Sequence, residues 1–167
     1  MWRCVIACRL ASSWVGESVE QGGDPMSISA TTILLATDDS EEANLAASAA
    51  AELAKGTDSE LHVVHVGPVV PTFLAATEEE PARMAREARS TLDEQVRRIK
   101  AGHGTEAQAH LRYGGAAEEV VALAEDIGAG LIAVGSRGRG GIRRALMGSV
   151  SERVVRHAHC AVMIIRG

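Results

Sequence analysis

The sequence predicts a single α/β domain whose parallel sheet is covered on both faces, and three observations carry that prediction. From Thr31 onward, short β-branched or aliphatic runs alternate with longer segments of helical periodicity. Two of the runs, Leu61–Val66 and Leu131–Val134, are predominantly apolar, as suits strands buried on both faces. A glycine-rich stretch then stands between a strand and a helix, where doubly wound folds present backbone to a ligand. At 167 residues the chain is long enough for one domain with a real core. That core is built from Ala, Val, Leu and Ile, because aromatics are only 2% of the sequence.

The elements follow in order. Residues 1–30 fall outside the alternation and read as a disordered N-terminal extension, with an extra helix docking on the domain as the alternative, so the domain is 31–167. A weakly apolar patch near the start is interrupted by Arg9 and is too short and polar for a secretory signal. Met26, just ahead of the first strand, is an alternative translation start. Thr32–Thr37 is the first strand, and Asp38, Asp39 and Ser40 begin a helix with acidic groups at its positive end. Ala43, Ala46, Ala47, Ala50 and Ala54 form one face of that helix, which ends at Gly56. Leu61–Val66 is the second strand, and 67–77 is a loop with two prolines.

A long helix is predicted over 79–101, with Met84, Ala85, Ala88, Leu92, Val96 and Ile99 as its stripe and Gly102 as its stop. Ala107–Tyr113 alternates like a half-exposed edge strand. A third helix covers 117–127, the central strand 131–135, a fourth helix 150–157 and a last strand 161–165.

Composition excludes several classes of function. A net charge of −5 leaves no broad basic face for nucleic acid, and no apolar run reaches membrane-spanning length. Three cysteines without a CxxC make no disulfide framework and fit a reducing cytoplasm. His157, His159 and Cys160 lack a second cluster and read as a turn rather than a metal site. His62 and His65, an odd number apart on a strand, point to opposite faces.

The chemistry concentrates in residues 135–152, GSRGRGGIRRALMGSVSE. Its glycines let backbone N–H groups approach a ligand, and Arg137, Arg139, Arg143 and Arg144 oppose the acidity of the whole chain. The helix start at Ser149 offers unpaired N–H groups to an anion. Ser149 with Glu152 also forms a capping box, which needs no ligand. There is no GxxxxGK[ST] loop, and no GxGxxG after the first strand.

Gly135 precedes Gly138 by three, and nine residues separate Gly138 from Gly148–Ser149. This GxxG, nine residues, G[S/T] pattern resembles the nucleotide-binding signature of the universal stress protein family, as does the sequence from Val134 to Arg166. The resemblance implies a five-stranded sheet of order 3-2-1-4-5 that brings Asp38 opposite the glycine loop. It also implies a site in which Ala36, Thr37 and Asp38 end the first strand, with Asp38 on the ribose, and the backbone of Val66 recognises adenine. Gly135 and Gly138 would lie under the sugar and phosphates, with Arg139 as a basic neighbour, while Gly148, Ser149, Val150 and Ser151 cradle the triphosphate. Arg137 stands where the family commonly has His, and it either adds to phosphate attraction or faces solvent.

Three departures accompany the resemblance: Ala36 stands where Pro is frequent, and two prolines usual before the last strand are replaced by His159 and Ala161. The implied function is that of a cytoplasmic ATP-binding protein, with or without Mg2+, that signals through nucleotide-dependent conformation and lacks efficient catalysis. Lys55 and Lys100, the only lysines, fall at far helix ends, and the SGGxDS signature of ATP pyrophosphatases is absent. A slow ATPase, a phosphate- or adenylate-transferring enzyme of the same fold, and a nucleotide-free interaction module stand as alternatives. The resemblance also implies a homodimer through Ala161–Ile165, an apolar edge strand.

Overall fold

The structure is a computed structural model that describes residues 3–7, 32–69, 79–139 and 147–167. The remainder of the 1–30 extension, most of the proline loop, and Arg143 and Arg144 of the glycine stretch lie outside the described residues. In chain order the elements are β1 (Arg3–Ala7), β2 (Thr32–Ala36), α1 (Glu41–Thr57), β3 (Glu60–Gly67), α2 (Glu79–His103), β4 (Ala107–Tyr113), α3 (Ala116–Asp126), β5 (Leu131–Gly135), α4 (Ser149–His157) and β6 (Ala161–Arg166).

Five strands are mutually parallel in the order β4-β3-β2-β5-β6. This is the expected 3-2-1-4-5 winding, with the switch point between β2 and β5. The register runs Ile33–Leu131 and Ala36–Val134 across that junction, so both strands end side by side.

Burial explains why these segments are strands. Ile33, Leu35, Leu61, Val63, Leu131, Ala133, Met163 and Ile165 face α1 and α2 on one side of the sheet. Leu34, Ala36, Val64, Ile132, Val134, Val162 and Ile164 face α3 and α4 on the other. Alternate residues of a strand therefore both meet a helix layer, which suits predominantly apolar runs. Along α1, Ala43, Ala46, Ala47, Ala50, Ala51 and Ala54 are all buried, and their small side chains bring the helix close to the sheet.

Two of the boundary differences have local causes. α1 begins at Glu41, because Ser40 is its cap: the Ser40 hydroxyl accepts from the Ala43 N–H at 3.2 Å, and Asp38 and Asp39 precede the helix. α2 passes through Gly102, and the left-handed residue that ends it is Gly104 (φ 68°), whose N–H bonds Lys100 O at 3.0 Å.

The larger difference is at the N-terminal side. Arg3–Ala7 is a strand rather than part of a disordered extension, and it pairs antiparallel with β6 from Arg3–Arg166 to Ala7–Val162. Its sequence, RCVIA, is apolar enough to match AVMII. The outer edge of β6, expected to pair with a second copy, is covered by β1 of the same chain, as apolar edges commonly are covered.

Candidate functional site

Because β2 and β5 end together, the loops that follow them face each other across the switch point. A cavity of about 560 Å³ opens there. Its lining includes every expected site residue: Ala36, Thr37 and Asp38 from the end of β2, Val66 from β3, Gly135, Gly138 and Arg139 after β5, and Gly148, Ser149, Val150 and Ser151 at the start of α4. Val64, Val120, Val134 and Met147 add an apolar wall.

Asp38 ties the two loops. Its Oδ1 accepts from the N–H of Ser40 at 3.1 Å and its Oδ2 from the N–H of Arg139 at 2.9 Å. Each carboxylate oxygen keeps a free lone-pair direction for a further donor. Gly138 is required by this tie, since a Cβ there would run into Asp38 Oδ2. Thr37 is anchored from below: its hydroxyl donates to Oε1 of the buried Gln95 at 3.1 Å, its N–H reaches Val64 O at 2.9 Å, and its carbonyl lies 2.9 Å from His65 Nδ1. These bonds span α2, β2 and β3, and they leave the end of β2 little freedom.

The opposite wall is the start of α4. Its N-cap is Gly148 (φ −79°, ψ 160°), with no side-chain cap, and the intrahelical ladder starts with Glu152 N–H to Gly148 O at 2.9 Å. The capping box read from Ser149 and Glu152 is therefore corrected by one position. Gly148 supplies the extended residue, and Ser149 is the first helical residue, too far along to cap. The Ser149, Val150 and Ser151 N–H groups precede that first bond at the positive end of the helix.

Ser136 O closes the loop by accepting from Gly148 N–H at 2.7 Å and from the buried Ser151 hydroxyl at 2.9 Å. A Cβ on Gly148 would lie 3.3 Å from Ser136 O and 3.4 Å from Arg137 Cα, so this cradle suits glycine.

Arg137 does not simply face solvent. It lines the cavity, but its Nε donates to Glu42 Oε1 at 2.9 Å, and Glu42 also accepts from the Ser136 hydroxyl at 2.5 Å. Glu42 thus fastens the loop after β5 to α1, where Gly135 packs directly against the backbone of Glu42 and Ala43. Arg139 is more exposed and lies 3.2 Å from Asp39. Asp39 in turn contacts Arg98 of α2 at 2.7 Å. Burial works against the Asp39 charge, but the hydrogen bond and charge of Arg98, with Asn44 and Arg139, outweigh it and hold its carboxyl below the usual range. Glu42, Gln95, Arg98 and Asp39 were not anticipated in these roles; their partners are distant in sequence, and no local pattern announces them.

The histidines sort differently. His62 is buried, and its Nδ1 lies 2.9 Å from His110 Nε2 with the rings stacked, whereas His65 serves Thr37. His159 contacts Glu125, and His157 bonds Arg153 O. Burial holds the Cys160 thiol above its ordinary range.

Fold and site together define a doubly wound α/β protein with a ligand-sized cavity at the switch point, where this class takes its ligands. More particularly, the chain belongs to the universal stress protein family, whose sequence model matches residues 30–166. It is 32% identical over 137 residues to a universal stress protein of Methanocaldococcus jannaschii, covering 80% of this chain and 81% of that protein. Among solved structures, it resembles a universal stress protein in complex with cAMP, with a TM-score of 0.65 and 26% identity, covering 83% of this chain and 98% of the other. The universal stress protein of Archaeoglobus fulgidus in complex with dAMP matches with a TM-score of 0.62 and 25% identity, covering 81% and 98%.

Proposed function

We propose that the cavity binds an adenine nucleotide, ATP foremost and with or without Mg2+, and that the 31–167 domain acts as a nucleotide-dependent regulatory protein rather than an efficient enzyme. The observation that carries the reading is the cavity's polarity gradient. Val64, Val66 and Val120 offer an apolar end to a base, Asp38 stands between with acceptor capacity for ribose hydroxyls, and Arg139 and the α4 N-terminus offer donors to phosphates. Relatives solved with cAMP and dAMP support the adenine assignment. Lys55 and Lys100 are engaged elsewhere, with His103 O and Glu106, so neither is placed to act on a terminal phosphate.

No helix among the described residues is long and apolar enough to cross a membrane, and a cytoplasmic protein with access to the ATP pool is the setting we infer. The homodimer through Ala161–Ile165 belongs to the same proposal for the 31–167 domain alone. It would use the β6 edge that β1 occupies, so the two pairings compete. Calorimetric titration of nucleotide-free protein with ATP and AMP, with phosphate release followed in parallel, tests the reading. Saturable binding of both with turnover far below about one per second is expected; no binding refutes it, and faster turnover makes the protein an enzyme.

A further inference from the structure

Asp39, next in the chain to the cavity-lining Asp38, is a non-glycine residue with positive φ, 60°. Asp tolerates that left-handed conformation better than most residues, yet it remains an uncommon one. Its carboxylate lies between two arginines from different parts of the fold. Arg98 Nη1 donates to Oδ1 at 2.7 Å, and Arg139 Nη2 donates to Oδ2 at 3.2 Å. Arg98 is itself held by Glu94 at 3.0 Å, and Arg97 shares that glutamate at 2.6 Å. Asn44 Oδ1 completes the group at 3.5 Å from Arg98.

From these contacts, and resting on the nucleotide reading above, we infer that Asp39 sets the cavity's selectivity for phosphate-chain length by holding Arg139 against α2, so that a nucleotide's outer phosphates must compete with a carboxylate for that guanidinium. The backbone of Arg139 is already fixed by Asp38, so only its side chain has to swing. That side chain is 62% exposed, and its pair with Asp39 is the kind of contact that contributes little to folding. Asp39 also places a negative charge beside the approach of a polyanion, and Coulomb repulsion grows with the charge of the chain. An α-phosphate next to the ribose lies nearer Asp38 and gains little from Arg139. The penalty therefore falls on ATP and spares AMP.

Two substitutions separate charge from backbone geometry. Asp39→Asn keeps size and the left-handed conformation, and Asp39→Gly keeps the conformation alone. Titrated in a calorimeter at low salt, both should bind ATP on the order of fivefold more tightly than the parent, while AMP changes less than twofold. The gain should shrink when Arg139→Ala is present in the same chain, because the effect runs through that side chain. An unchanged ATP-to-AMP affinity ratio overturns the inference, and so does weaker ATP binding, which would make Asp39 a residue that positions Arg139 for the ligand. If the parent itself binds neither nucleotide, the nucleotide reading fails rather than the Asp39 relay alone.

Discussion

Serine does two different jobs at the two helix starts that meet at the cavity. Ser40 caps α1 through its hydroxyl, whereas Ser149 follows the glycine that caps α4 and spends no hydroxyl bond on its helix. Ser40→Ala should thus cost roughly 0.5–2 kcal/mol of unfolding free energy, while Ser149→Ala should stay within about 0.5 kcal/mol, as an exposed position without a cap does. Urea unfolding of the two variants distinguishes them; equal losses would restore the capping role for Ser149. Gly138 and Gly148 were legible in the sequence through their spacing, and Asp38 only through the family resemblance, since by residue type alone it reads as a carboxylate at a helix start. Asp39 and Glu42 were not: an acidic residue near a helix start reads as a favourable dipole partner, and nothing local reveals that its partner lies a hundred residues away.

Strands and helices were legible nearly throughout, since each apolar run had to meet a helix layer on both faces. What the strand pattern hid was a pairing between strands. His62 and His110 sit on adjacent β3 and β4, with Glu60 3.7 Å from His62 and Arg112 bound to Asp126 nearby. Burial first, then the charges of His62 and Arg112, hold His110 below the ordinary histidine range. A depressed folded value means the fold favours neutral His110. The stability it contributes is complete above the unfolded value near 6.5 and is lost as pH falls through the lower folded value. The melting temperature should therefore drop on acidification below about pH 6.5, and His110→Gln should drop less over the same interval. Parallel pH curves for the parent and the variant would remove His110 from the account.

At the scale of the molecule, one sheet edge has two possible occupants. Val162–Ile165 of β6 is buried, and β1 covers its outer edge by backbone pairing. Periodicity could not find β1, because a five-residue apolar run far from the rest of the sheet resembles an idle patch. Removing residues 1–25 should bare that edge and drive pairing of β6 with β6 of a second copy, leaving nucleotide affinity unchanged. Sedimentation at micromolar concentration should give the mass of one chain for the full protein and of two for the shortened one; equal masses would show that β1 does not govern assembly.

The proposed nucleotide site between β2 and β5 is built on backbone donors. Gly148→Val tests it most directly, because side-chain atoms at this position crowd Ser136 O and the donors at the head of α4 while leaving both core clusters intact. Titrated with ATP in a calorimeter, the nucleotide-free parent should bind about one nucleotide per chain, and Gly148→Val should give no measurable heat while melting close to the parent. ATP bound equally well by both proteins would refute a backbone-built nucleotide site and reduce the glycine loop to a turn.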